Sequence, residues 1–103
     1  TERIGFGDDE LGQKLMINFI KTIGEMESML WRLVFINNGV KLTVKGSKLV
    51  SVLKDYEDSG LTILVCGTCL THFDLLDQKQ VGKTTNMLDI ITAMQLADKV
   101  ITL

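Results

Sequence analysis

Two short apolar runs, Trp31 to Ile36 and Leu61 to Val65, do most to limit what this chain can become. Asn37-Asn38-Gly39 closes the first and Gly60 precedes the second. Runs this brief, apolar at successive rather than alternate positions, read as strands covered on both faces. The segments around them have helical spacing. From Asp8 onward, Leu11, Leu15, Phe19, Ile23 and Met26 recur every three or four residues, with Met16 and Ile20 widening the stripe. Asp8, Asp9 and Glu10 complement the dipole of that helix's first turn. Ser47 is placed to cap a second helix carrying Leu49, Val52, Leu53 and Tyr56, with Gly60 to end it. A third, short helix is predicted from near Cys69, and a fourth from Met87 to Ala97, with Asn86 as cap and Asp89 three residues on. Val100 to Leu103 is predicted to close the chain as a strand. Strands alternating with helices require crossover connections, so the fold class is α/β, three layers deep around a mostly parallel sheet.

A chain of 103 residues, 46% apolar, supports one domain with its own core. The pattern begins on a helix, which leaves the sheet one strand short, so the expectation is a fragment of a longer chain whose first strand precedes Thr1. Eleven basic residues against thirteen acidic ones give a net charge of −2, with no basic stripe of the kind that collects phosphates, and nucleic acid is not an expected partner. No apolar run approaches the roughly 18 residues of a membrane span, and no leader pattern opens the chain. The expected location is the cytoplasm.

Both cysteines lie in LTILVCGTCLTHF, at Cys66 and Cys69, where the second apolar run gives way to a helix. A close pair is not the dispersed set of a secreted disulfide framework; in a reducing compartment it is more often catalytic or metal-binding. In a parallel α/β sheet the loops beyond the carboxyl ends of the strands gather ligands. Three segments should arrive there: Gly5-Phe6-Gly7-Asp8, Asn37-Asn38-Gly39-Val40 and Cys66-Gly67-Thr68-Cys69. Gly5, Gly7, Asp8, Asn38 and Gly39 are therefore candidate pocket-lining residues. The glycine loop before the first helix can cradle an anion on its amides, or simply turn the chain.

A helix terminus favours thiolate over thiol, and the thiolate is the nucleophile. A second cysteine within one turn can resolve the product as a disulfide. Gly67 permits the tight turn, while the Thr68 hydroxyl can donate to a sulfur anion or cap the helix. His72, three residues after Cys69, is placed to pass protons; a solvated surface histidine is the plainer alternative. The pair itself has a plainer reading as two small buried hydrophobes. A structural zinc needs four ligands, and beyond Cys66, Cys69 and His72 only carboxylates remain, so no metal is expected. A thioredoxin is excluded because the chain has no proline to face the cysteines. Gly82-Lys83-Thr84 has the look of a P-loop ending, but Asp77 stands where its first glycine is required. Met16, Met26 and Met29 read as core packing or subunit contact. There is no sign of a dissociable organic cofactor.

GFGDDELGQKLM, FINNGVKLT, VCGTCL and TTNMLDIITAMQLADKVITL, in that order and spacing, resemble the DsrE-like domain at the C-terminal end of YedF-type selenium metabolism proteins, over essentially all 103 residues. The resemblance implies a DsrE/DsrF-like α/β/α domain from a superfamily that relays sulfur as a cysteine persulfide and assembles into oligomers. It implies a sulfur- or selenium-donor protein as partner, such as the TusA-like domain that usually precedes this one. Carried over, the sulfur-carrying cysteine falls at or near Cys66, with Cys69 as resolving partner. The function so implied is a cysteine-based sulfur or selenium carrier of sulfurtransferase type. The alternative is a non-catalytic oligomerisation or interaction module whose cysteines sense redox state or do nothing.

Overall fold

A computed structural model describes all 103 residues. Three parallel strands in the order β1-β2-β3 form its sheet: β1 (Arg32–Phe35), β2 (Thr62–Cys66) and β3 (Lys83–Thr85). Arg32 lies opposite Thr62 and Phe35 opposite Val65 in the first pair; Leu64 lies opposite Lys83 and Cys66 opposite Thr85 in the second. Side chains alternate across a strand. Leu33, Phe35, Ile63 and Val65 therefore share one face, while Val34, Thr62, Leu64 and Lys83 share the other. Ile63 and Val65 are fully buried in one cluster with Met16, Ile20, Val40, Leu49 and Leu53. The opposite face is only half-covered. There a groove of about 260 Å³ runs between Thr62, Leu64 and Lys83 on one side and Ala93 and Leu96 on the other.

The helices are α1 (Asp9–Thr22), α2 (Val50–Asp58), α3 (Gly67–His72) and α4 (Met87–Leu96). Asn86 caps α4 where the sequence placed it, its Oδ1 accepting from the Asp89 amide at 2.9 Å, while Asp8, expected inside the first turn of α1, is instead its N-cap, with Oδ1 accepting from the Leu11 amide at 3.0 Å. Other expectations are corrected. The first helix does not continue to Met26, because residues Ile23–Met29 tighten into 3-10 geometry with Glu27 in the left-handed region at φ +51°. Tyr56 of α2 explains where α1 stops. Its hydroxyl meets the carbonyls of Ile20 and Lys21 at 2.6 and 3.0 Å, partnering two of the acceptors that a helix end leaves free. Its ring occupies the space beside Gly24, where an added Cβ would lie 2.7 Å from the Tyr56 oxygen. Removing that hydroxyl in Tyr56→Phe should cost about 1 kcal/mol. Thermal unfolding checks this, since 1 kcal/mol lowers Tm by about 4–8 °C in a domain of this size.

Ser47 does not cap α2 itself. Its Oγ accepts from the Leu49 amide at 3.2 Å and closes the turn before the helix. Asn37-Asn38-Gly39 opens a 3-10 stretch, Asn37–Thr43, rather than a simple turn. Val100 to Leu103 forms no strand and lies exposed. The sheet's third strand is instead Lys83–Thr85, a short polar segment that pairs with β2 on the side away from β1.

Candidate functional site

β2 ends at Cys66 and α3 begins at Gly67, two residues before its predicted start, so both cysteines lie within one turn of the strand's carboxyl end. Cys66 is the N-cap of α3, and its Sγ accepts from the Cys69 amide at 3.4 Å. Both thiols are free. Cys66 is buried, with 4% of its surface exposed, while Cys69 is half-buried. Gly67 supplies the close approach that keeps the junction tight. A Cβ there would meet the Thr84 methyl at 3.1 Å and the Thr85 carbonyl at 3.2 Å, so a side chain fits only if α3 and β3 give by a few tenths of an ångström.

The adjoining strand supplies a second donor. Where β1 ends, the Asn37 amide donates to Cys69 Sγ at 3.1 Å, across 32 residues of chain. Asn37 has φ +50°, a conformation that asparagine adopts more readily than most residues. Neither Asn38 nor Gly39 hydrogen-bonds to a cysteine sulfur. Gly39 is buried, and a Cβ on it would lie 3.3 Å from the Thr1 carbonyl. Gly5 and Gly7 are exposed with open space around them, and Asp8 is occupied in capping α1; none of the three hydrogen-bonds to the cysteines. Thr68 is exposed, and its hydroxyl has no hydrogen-bond partner in the chain. His72 lies in the last turn of α3, packed edge-on against Phe73 at 5.1 Å between ring centres. The structure thus joins Cys66, Gly67, Cys69 and Asn37, and leaves Gly5, Gly7, Asp8 and His72 without a hydrogen bond to either sulfur. No three His, Cys, Asp or Glu side chains converge.

Burial pushes the Cys69 thiol above its ordinary value of 9.0. The hydrogen bond to Cys66 raises it further, the Asn37 amide opposes the rise, and charge on Cys66 adds to it. Cys69 is therefore held as the thiol at neutral pH. Alkylation of Cys69 by iodoacetamide, followed by peptide mass spectrometry, should rise with a midpoint above pH 9.0 in the native protein. In Cys66→Ala that midpoint should fall, since two of the raising influences go with the sulfur. Because the folded chain binds this proton more tightly than the unfolded one, the associated stability is present below the ordinary thiol value and is lost as pH rises through the folded value. An unshifted midpoint in the native protein would contradict this account of the pair.

A closely placed dithiol, one sulfur buried and one reachable, can accept a sulfur atom at one thiol and expel it by attack from the other. The chain matches no curated protein and no solved structure at a significant level. No helix is long and apolar enough to cross a membrane. Residues 8–103 match the profile of the DsrE/DsrF-like family, which is associated with sulfur relay between partner proteins. Together with the parallel α/β sheet, that match over nearly the whole chain makes this protein a member of the DsrE/DsrF-like family.

Proposed function

We propose that this chain is a sulfur or selenium carrier domain in which one thiol of the Cys66–Cys69 pair receives the atom from a donor protein and the other closes a disulfide to release it. The observation that carries the reading is the placement of both free thiols at the β2–α3 junction, with the Asn37 amide of the adjoining loop at 3.1 Å from Cys69 Sγ. Family membership supports it, because sulfur relay needs an acceptor sulfur and these are the chain's only two. The motif order of YedF-type proteins favours selenium as one cargo and a TusA-like domain as the donor, in the cytoplasm.

An interaction role is favoured by a separate observation. α4 is apolar on nearly every side, with Met87, Leu88, Ile91, Met94 and Leu96 exposed. A helix of that kind is ordinarily covered. Self-association through α4 is compatible with relay chemistry at the β2–α3 junction. The two readings separate on incubation with inorganic polysulfide. A carrier gains sulfur and then liberates sulfide as its two thiols disappear together; an interaction module keeps both thiols and liberates none.

A further inference from the structure

We infer that Cys69, held by the Asn37 amide, is the thiol that meets the incoming atom, and that Cys66 is the buried thiol that closes the disulfide. The inference rests on the carrier reading and reverses the order that the family resemblance implies. An incoming sulfane sulfur must approach the attacking thiol in line with the bond it is about to break. Cys66 is 4% exposed, and one side of its sulfur already receives the Cys69 amide. Cys69 is the more exposed of the two and sits in the first turn of α3 facing the end of β1. The Asn37 amide at 3.1 Å is placed to steady negative charge on that sulfur, and the left-handed backbone of Asn37 is part of what aims it. Asn37 is a positioning residue: its side chain matters through the conformation it permits, while its backbone makes the contact.

The chemistry balances on these two sulfurs. The Cys69 thiol gives up its proton to solvent before it attacks. Cys69 Sγ attacks the outer sulfur of a hydropersulfide donor, the donor's S–S bond breaks, and the donor leaves as its thiolate. The departing donor thiolate can take up from solvent a proton equivalent to the one Cys69 released. Cys66 then attacks the inner sulfur of the Cys69 persulfide, and hydrogen sulfide leaves with both protons. In that step the sulfane sulfur is reduced to sulfide and the two thiols are oxidised to a disulfide. A dithiol reductant, such as a second protein with a vicinal thiol pair, returns the domain to its starting state.

The test uses single variants, inorganic polysulfide as the probe and intact-protein mass spectrometry. Cys66→Ser should accumulate the mass of one added sulfur and liberate no sulfide, since its Cys69 persulfide has no partner to close on. Cys69→Ser should gain no sulfur. The reverse pattern, or equal loading of both variants, would overturn the order of attack while leaving the carrier reading in place. Absence of any adduct or sulfide from the native protein would remove both. Circular dichroism establishes that each variant is folded, and Cys66→Ala replaces Cys66→Ser if the buried hydroxyl is not tolerated. In the Cys66→Ser background, Asn37→Gly retains access to positive φ and should leave the pH midpoint of Cys69 alkylation unchanged. Asn37→Val disfavours that conformation and should raise the midpoint. Identical midpoints in the two variants would eliminate the role assigned to Asn37.

Discussion

Replacing both cysteines, in Cys66→Ser with Cys69→Ser, is expected to reduce sulfur uptake from inorganic polysulfide to the level of a protein without thiols while leaving the fold intact. The first half follows from composition, because no other cysteine exists in the chain to accept the atom. The second half follows from the junction's geometry. Position 66 caps α3 by accepting the Cys69 amide, a task at which serine oxygen is better than a thiol. Position 69 is half-buried and faces a donor, so a serine hydroxyl there also finds a partner in the Asn37 amide. The change in stability should stay within about 1 kcal/mol, the usual scale of exchanging one neutral hydrogen bond for another. Denaturant unfolding measures that part, and mass spectrometry with sulfide detection measures the other. Undiminished sulfide release from the double variant would end the carrier reading and leave the exposed face of α4 as the domain's functional surface.

What the sequence makes legible depends on whether a signal is local. The helices α1, α2 and α4 announce themselves by spacing, and Asp8 and Asn86 cap their helices as such residues do anywhere. β1 and β2 are legible because both faces are used, which forces apolar residues at successive positions. β3 has no such mark. Lys83-Thr84-Thr85 is a strand because β2 offers a free edge and the chain returns there after α3, a fact about the sheet and not about those residues. Val100 to Leu103 fails for the converse reason, since β-branched residues make no strand unless they reach an edge, and these pair with neither β1 nor β3. The cysteine pair is visible as a strand-to-helix junction. Asn37 is placed by the sequence in the turn that reaches the same edge, but nothing there singles it out from Asn38 and Gly39 as the residue that meets a cysteine. Its contribution is a backbone amide in a left-handed conformation at a non-glycine residue, which leaves almost no trace in composition or spacing.

The largest effect on stability is expected at Gly82, inside the segment that imitates a P-loop ending. Gly82 has φ +84° and turns the chain from the end of the α3 connection into β3. A Cβ at this position would sit 2.7 Å from Val65 Cγ2 and 3.0 Å from Ile63 Cγ2, two fully buried side chains of β2. Its amide donates to Glu57 Oε2 at 3.1 Å, and its carbonyl accepts from Lys79 Nζ, so the turn is pinned from both sides and cannot easily swing away. Gly82→Ala therefore incurs left-handed strain of about 1–2 kcal/mol and overpacking of about 1–3 kcal/mol. The sum, roughly 2–5 kcal/mol, is a large part of the 5–15 kcal/mol that holds an ordinary domain together. Gly46→Ala separates the two contributions, because Gly46 has a similar φ of +92° but open space around its Cβ position. Thermal unfolding should show a modest fall in Tm for Gly46→Ala and a fall more than twice as large for Gly82→Ala. Equal falls would mean that Val65 and Ile63 yield without cost, and that the β2 face is less tightly packed than its burial implies. The same variant bears on the site. Thr85 lies opposite Cys66, and Gly67 packs on Thr84 and Thr85, so displacing β3 should expose Cys66 and make its alkylation faster at a fixed pH.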